Sequence, residues 1–437
     1  MEVTVTGAGL AGSEAAIQLA KRNIKVNLYE MRPEKTTGAH KTSDCAEFVC
    51  SNSMGSYDIT NASGLLKHEM ELLGGELIKI AHACRVPAGS ALAIDRELFS
   101  QKVTERIESD PNINLIRKEI EEIPDTPVII ASGPLTSEKL AGNIKKFTES
   151  EHLYFFDAIA PIVEKESINF DTAFYASRYD KGEASYINCP MNREEYENFY
   201  NILINAPRIE LKEFEKNAKF FESCLPVEVL ASRGVDTLRF GPMKPVGLID
   251  KRTGIENYAV VQLRQDNSAK TLYNLVGFQT NLKWGSQKEL IHSIPGLENA
   301  NIVRYGVMHR NTFINSPKIL TAGLQSKKRP DLFFAGQITG TEGYTESIAT
   351  GLLAGINMAK YLNGEKPAEL PRETMLGALT HYISNPEHEK FQPINSNWGI
   401  LPPVELPKKE RKNKKLKAEL MAKRSINSLE PICSSLL

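Results

Sequence analysis

The chain has 437 residues, of which 41% are hydrophobic and 24% charged, and its formal net charge is −1. That length carries two domains, or one large domain with an insertion, and the composition excludes wholesale disorder. The near-neutral total excludes a molecule that binds polyanions over its whole surface, and no stretch approaches the roughly 20 apolar residues of a membrane span.

In chain order, Glu2 to Thr6 is a short β-branched run that reads as a buried strand, with no charged leader and no apolar signal segment before it. Leu10 to Arg22 has helical periodicity, and Lys25 to Tyr29 is a second strand, so the chain opens with a βαβ unit of a doubly wound sheet. A long polar stretch comes next, Met31 to Thr60, and loops of that length inside a compact domain are usually functional. Asn61 to Leu73 and Asp95 to Glu108 read as helices capped by Asn61 and Asp95. Val128 to Ala131 is a third buried strand, ended by Gly133-Pro134. From Glu151 to Asn301 strand-like runs (Tyr258 to Arg264, Leu272 to Thr280) mix with helices such as Asn192 to Ala206, which reads as an inserted α+β domain. Leu332 to Ala335 is again a strand, and it runs into Gly336 and a small-residue helix, Glu346 to Tyr361. Lys408 to Arg424 holds nine Lys or Arg against two Glu, a local charge of +7 on a body of −8. Such a tail is either a solvated helix face or a contact to an anionic partner, nucleic acid first.

The glycines between the first strand and helix carry the first chemical signal. In Gly7-Ala8-Gly9-Leu10-Ala11-Gly12, Gly7 permits the tight turn, Gly9 lets a pyrophosphate approach the backbone, and Gly12 lets helix and strand pack closely. Glu30 ends the second strand 18 residues after Gly12, where an acidic side chain can bind ribose hydroxyls. A second glycine-rich segment, Gly336-Gln337 to Gly343-Tyr344, resembles the second FAD contact of two-dinucleotide-type flavoproteins, and Val128 to Gly133 resembles their middle strand. The expected fold class is therefore α/β, a two-dinucleotide-type FAD-binding Rossmann domain interrupted by an inserted α+β domain. Residues 1–150 and 301–405 form its two parts, 151–300 the insertion, and 406–437 a basic C-terminal tail.

Three stretches resemble one family. They are Glu30-Met-Arg-Pro33 with His40-Lys-Thr and Ala46-Glu-Phe-Val-Cys50-Ser-Asn-Ser53; Cys224-Leu-Pro-Val-Glu228 with Arg233-Gly; and Gly336 to Tyr344. From residue 1 to about 405 the chain is similar to the folate- and FAD-dependent methyltransferases that form 5-methyluridine in the T-loop of tRNA. The Cys50 and Cys224 segments separate this family from its relative, the flavoprotein that modifies wobble uridines. The resemblance implies FAD, methylenetetrahydrofolate as carbon donor and NADH or NADPH as reductant, with the one-carbon unit passing through the reduced flavin. It implies Cys224 as the thiolate that adds to uracil C6. Cys50 is then the second cysteine, which either removes the C5 proton or protects the intermediate. The chemistry needs a thiolate, because adding one to C6 makes the poorly nucleophilic C5 enolate-like. The remaining cysteines, 45, 84, 189 and 433, read as small buried hydrophobes.

Weaker candidates complete the site. Arg96 grips a phosphate or the folate tail, or forms a surface salt bridge; His309, with Arg310 and Asn311, lines the pterin or flavin site or is structural. Tyr344 stacks on the ring system or packs in the core. Arg239 and Lys244 are placed to hold RNA backbone. No RNA-binding module with aromatic strands is visible, so the grip on a folded loop falls to basic surface, with the target base extruded. Scattered cysteines without Cys-x-x-Cys pairs, and histidines without ligand spacing, argue against disulfides, zinc or iron, and place the chain in the cytoplasm with neither membrane nor DNA as partner. Three other readings stay open: the same chemistry on ribosomal RNA, a non-methylating FAD/NAD(P)H oxidoreductase, and a flavin-stabilised RNA-binding protein.

Overall fold

In the computed structural model the described residues are 2–37, 39–149, 153–158, 160–180, 182–209, 225–306, 308–388, 391–407, 409–410 and 413–436, with 153–158 and 308–310 described by backbone alone. The β-branched run at the start becomes the centre of a parallel sheet. Its order is Leu332–Phe334, Val128–Ile130, Glu2–Thr6, Lys25–Glu30, Ile113–Arg117. Central strands buried on both faces explain the continuous apolar runs. The edge strand Ile113–Arg117 gave no such signal, because most of its side chains are only half-buried or exposed.

Two helices meet over this sheet. Leu10–Lys21 crosses Tyr344–Leu362, the small-residue helix, at close range. A Cβ on Gly351 would stand 2.2 Å from the Ala11 carbonyl oxygen, and one on Gly355 2.8 Å from that of Ala15. Small residues are therefore what lets the two backbones touch, and this contact brings both glycine segments to one end of the sheet.

The long polar stretch is not structureless. Ser53–Ser56 pairs antiparallel with Ala91–Ile94, which also pairs with Arg85–Val86. The helix after it is Ala62–Leu72, where Asn61 occupies the cap position but its side chain makes no cap bond. Asp95 does cap its helix, accepting from the Leu98 N–H at 3.1 Å. The helices Leu77–Ala83 and Glu138–Thr148 had not been expected from the sequence.

A second hydrophobic core lies under a six-stranded sheet ordered Phe174–Ala176, Tyr186–Met191, Ala259–Gln265, Leu272–Leu275, Ile162–Glu164, Ile302–Arg304. Its neighbours pair antiparallel. Leu272–Leu275 ends short of the expected Thr280. The chain turns at Gly277, whose φ of +77° favours glycine and where a Cβ would fall 2.3 Å from Pro242 Cβ. Arg193–Asn205 begins at a full capping box between Asn192 and Glu195.

The Lys-rich tail folds as a helix, Lys414–Leu436. It buries Ala418, Met421, Ala422, Ser425 and Leu429, an i, i+3, i+4, i+7 pattern that its lysines mask in the composition, and it packs on Ala62–Leu72. Ser425 Oγ donates to the buried Glu69, which also accepts from the Met375 and Leu376 N–H groups. No helix among the described residues is long and apolar enough to cross a membrane.

Candidate active site

A cavity opens at the carboxyl end of the parallel strands, where open α/β sheets bind ligands. The glycine loop forms one wall. Gly12 has no room for a side chain, since a Cβ would fall 1.8 Å from the Gly7 carbonyl oxygen, whereas a Cβ on Gly9 would meet nothing within 4 Å. Gly12 thus serves packing, and Gly9 leaves empty space where a phosphate approaches. The loop is held from behind: the Ala8 N–H donates to Glu30 Oε2 at 3.0 Å, and the Gly7 N–H to the Tyr29 carbonyl at 2.7 Å. The helix start at Leu10 leaves first-turn N–H groups without intrahelical acceptors, facing the cavity.

Glu30 is buried, which pushes its carboxyl up, but the Arg32 guanidinium, the Arg32 N–H and the Ala8 N–H together hold it below the usual range. Arg32 is itself buried and bridges Glu30 to Glu47, whose carboxylate also collects the Lys41 and Thr42 N–H groups. These bonds staple the 31–50 loop against the cavity mouth. Gly336, Gln337 and Tyr344 form the far wall, and Val49 closes it from the loop. The cavity, its helix N-terminus and the open face of Gly9 fit a dinucleotide.

Beyond Val49 stands the half-buried Cys50. Its N–H donates to the Tyr344 hydroxyl at 2.6 Å, and its carbonyl accepts from the Arg96 guanidinium at 3.1 Å. Tyr344 lies against Phe48, with ring centroids 4.0 Å apart. Arg96 is buried and paired with Asp266 on the second sheet, so it is not the surface salt bridge weighed from sequence. Arg304 donates to the Val49 carbonyl. The buried Asn52 donates to the Ile94 and Gln265 carbonyls and accepts from Arg264. Burial first, and then the neighbouring guanidiniums, pull Lys41 and Arg304 below their ordinary values. One oxygen of Asp266, Oδ1, is buried without a hydrogen-bond partner. The loop that carries Cys50 is therefore clamped between the Ala91–Ile94 strand and the six-stranded sheet, held by the Arg96 and Arg304 guanidiniums and beside an acceptor able to take an incoming N–H.

Comparison with known proteins sets this arrangement in a family. The family described as "Glucose inhibited division protein A", GidA, matches residues 2–366. A protein of Anoxybacillus flavithermus named methylenetetrahydrofolate–tRNA-(uracil-5-)-methyltransferase TrmFO is 57% identical over 430 residues, 98% of this chain and 99% of its own. One of the same name from Bacillus velezensis is 56% identical over 99% of each. The chain belongs to the GidA family, among the TrmFO proteins. The fold agrees: Aquifex aeolicus GidA superposes with a TM-score of 0.72 at 17% identity, over 100% of this chain and 73% of that one.

Of the TrmFO-like residues expected from sequence, the structure gathers Gly7, Gly9, Leu10, Ala11, Glu30, Gly336, Gln337 and Tyr344 around one cavity. Ala8, Gly12 and Gly343 do not line it. Ala8 and Gly12 stand behind the loop, and Gly343 is the N-cap residue of the Tyr344–Leu362 helix, at φ +121°. Cys50 and Arg96 come together. Cys224 lies outside the described residues. The short helix just after it, Val227–Ala231, is fixed by Glu228, which accepts from the Asn281 N–H and the Thr280 hydroxyl. His309 is described by backbone alone, on Met308–Phe313 opposite Asp157. Arg239 lies over the Tyr258 ring at 3.4 Å and pairs with Asp236, which occupies it structurally, while Lys244 is exposed. Lys41, Arg304, Asp266 and Asn52 were missed as site residues. Lys41 and Asn52 lay in stretches that carry the resemblance, whereas Arg304 and Asp266 had no local signal. No group of His, Cys, Asp and Glu among the described residues could hold a metal.

Proposed function

We propose that the protein is a folate- and FAD-dependent methyltransferase that forms 5-methyluridine in the T-loop of tRNA, with methylenetetrahydrofolate as carbon donor and NADH or NADPH as reductant, acting in the cytoplasm. The observation that carries this reading is the junction at Val49-Cys50. Val49 and Tyr344 line the dinucleotide cavity, and the next residue, Cys50, hangs from the Tyr344 hydroxyl. A cysteine thus stands one residue behind the wall of the dinucleotide cavity, in a chain whose near relatives carry the TrmFO name.

Gly9 and the first turn of Leu10–Lys21 would receive the pyrophosphate of FAD, Glu30 would hold its ribose, and Gly336 and Gln337 would line the rest of the cofactor. When bound and reduced by NADH or NADPH, the flavin would supply the hydride that turns a transferred methylene into a methyl group. Cys224 adds to uracil C6, which makes C5 nucleophilic toward the one-carbon unit; Cys50, fixed by Tyr344 and Arg96, takes the C5 proton, and the C6–sulfur bond then breaks to release the Cys224 thiolate. Arg96 and Arg304 hold the backbone on either side of the Val49-Cys50 peptide, and Asp266 Oδ1 is placed to accept an N–H of the substrate. We assign residues 1–150 and 301–405 to the FAD-binding domain and 151–300 to the insertion, with 406–437 as a basic appendage.

The test is incubation with methylenetetrahydrofolate, NADPH and unmodified tRNA transcript, then mass spectrometry of the nucleosides, with a ribosomal RNA fragment in parallel. 5-Methyluridine in the tRNA, absent with Cys224→Ala, supports the reading. Product only in ribosomal RNA moves the target, and NADPH oxidation without product in either RNA overturns methyl transfer.

A further inference from the structure

An exposed indole is tied by hydrogen bonds to the loop that carries Cys50. Trp284 opens the Trp284–His292 helix with 60% of its surface exposed. A tryptophan left in water on a folded surface is uncommon, and where it occurs it marks a contact. One face of the ring is already taken, because Tyr305 stacks on it with centroids 5.5 Å apart and planes within 16° of parallel. Most of the ring's remaining surface stays exposed.

Its position is fixed by a buried amide. Gln287 donates to the Gly306 and Leu282 carbonyls and accepts from the Gly306 N–H at 2.7 Å, which locks the start of the helix onto segment 304–306. Within that segment Arg304 reaches the Val49 carbonyl, one residue from Cys50. The indole, the stacked phenol and the cysteine loop are thereby joined through two hydrogen-bonded links. The rim is cationic and polar. Lys283 and Lys288 are exposed beside the ring, and a groove lined by Lys288, His292, Asn299, Asn301 and Tyr305 opens next to it. An exposed aromatic platform with adjacent cations is how proteins hold unstacked nucleic-acid bases irrespective of their identity.

We propose that Trp284, backed by Tyr305, is a stacking platform for an unpaired base of the RNA loop that delivers its uridine to Cys50, with the adjacent Lys288 groove carrying that nucleotide's phosphate. This rests on the RNA-methylation reading and adds the element that holds the loop open. Extruding a uridine leaves a neighbouring base without its stack, and a fixed indole replaces what is lost.

The chain has two tryptophans, and Trp398 packs against the core, so a Trp398→Phe variant makes Trp284 the sole indole reporter. The FAD-loaded full chain of that variant is titrated with a T-arm hairpin and with a fully paired duplex of equal length. The expected result is quenching of Trp284 emission by the hairpin and little by the duplex. Trp284→Ala weakens hairpin binding roughly 10- to 100-fold, the weight of one base–aromatic stack, and Trp284→Phe recovers most of it. NADPH oxidation without RNA stays at the wild-type rate in both. Unchanged emission with every RNA, or wild-type binding and methylation by Trp284→Ala, overturns the platform even if the protein makes 5-methyluridine. Quenching by hairpins in a protein that makes no 5-methyluridine keeps the platform and sinks the methylation reading instead.

Discussion

The dinucleotide cradle and the cysteine loop share the wall at Val49 and Tyr344 but are built by opposite means. The cradle is made of backbone and of side chains that are missing: Gly7, Gly9, Gly12, and the Gly351 and Gly355 contacts to Ala11 and Ala15. The cysteine loop is made of long polar side chains reaching across the chain, Arg96 to Asp266, Asn52 to Gln265, Tyr344 to Cys50. The first works by leaving space, the second by hydrogen bonds that leave Asp266 Oδ1 without a partner. Changes should therefore act differently on the two, failing by collision in the cradle and by stranded charge in the loop.

The largest effect is expected within the cradle itself. Gly12→Ala forces a Cβ onto the Gly7 carbonyl, so it should prevent folding or yield protein without flavin absorbance. Gly9→Ala meets no protein atom and should leave the melting temperature of the apoprotein unchanged while lowering FAD affinity at least about tenfold, because only a bound pyrophosphate competes for that space. Equal loss of apoprotein stability in both variants would erase the distinction between the two glycines.

Next comes Asp266→Ala, which leaves the buried Arg96 without its counter-charge. Removing one partner of a buried pair costs about 3–5 kcal/mol, and denaturant melts should show it. FAD content should hold, since no cradle residue is touched, while methyl transfer falls by at least about a hundredfold. Flavin loss in step with activity would mean that loop and cradle are one unit.

The difference also governs what sequence could reveal. Glycine spacing, an acidic strand end and β-branched runs are local, so the Rossmann core and most cradle residues were legible. Asp266 and Arg304 carry no local mark, because their meaning lies in partners 170 and 255 residues away. The edge strand Ile113–Arg117 and the short Ser53–Ser56 strand were hidden for a related reason: pairing, rather than their own apolar pattern, makes them strands. In the Lys-rich segment the charge masks, in the composition, the apolar spacing that docks it.

That docked helix gives the smallest expected effect. Burial raises the Glu69 carboxyl from 4.5 to about 7 against the N–H groups and the Ser425 hydroxyl it receives. A raised folded-state pKa means that the native state binds the extra proton between these values, so its contribution is full below about pH 4.5 and is lost as pH rises through about 7. The melting temperature should fall across that window by the equivalent of roughly 1–3 kcal/mol, and Glu69→Gln should flatten the slope. An unchanged slope in Glu69→Gln would place the titration elsewhere.

The most direct test of the shared wall is Cys50→Ser, with FAD content, NADPH oxidation and 5-methyluridine formation measured on one preparation. The expected result is wild-type flavin content and oxidation with methylation lost. Methylation at the wild-type rate, or loss of flavin from the variant, would contradict a wall in which the cradle holds the cofactor and Cys50 serves only the transfer.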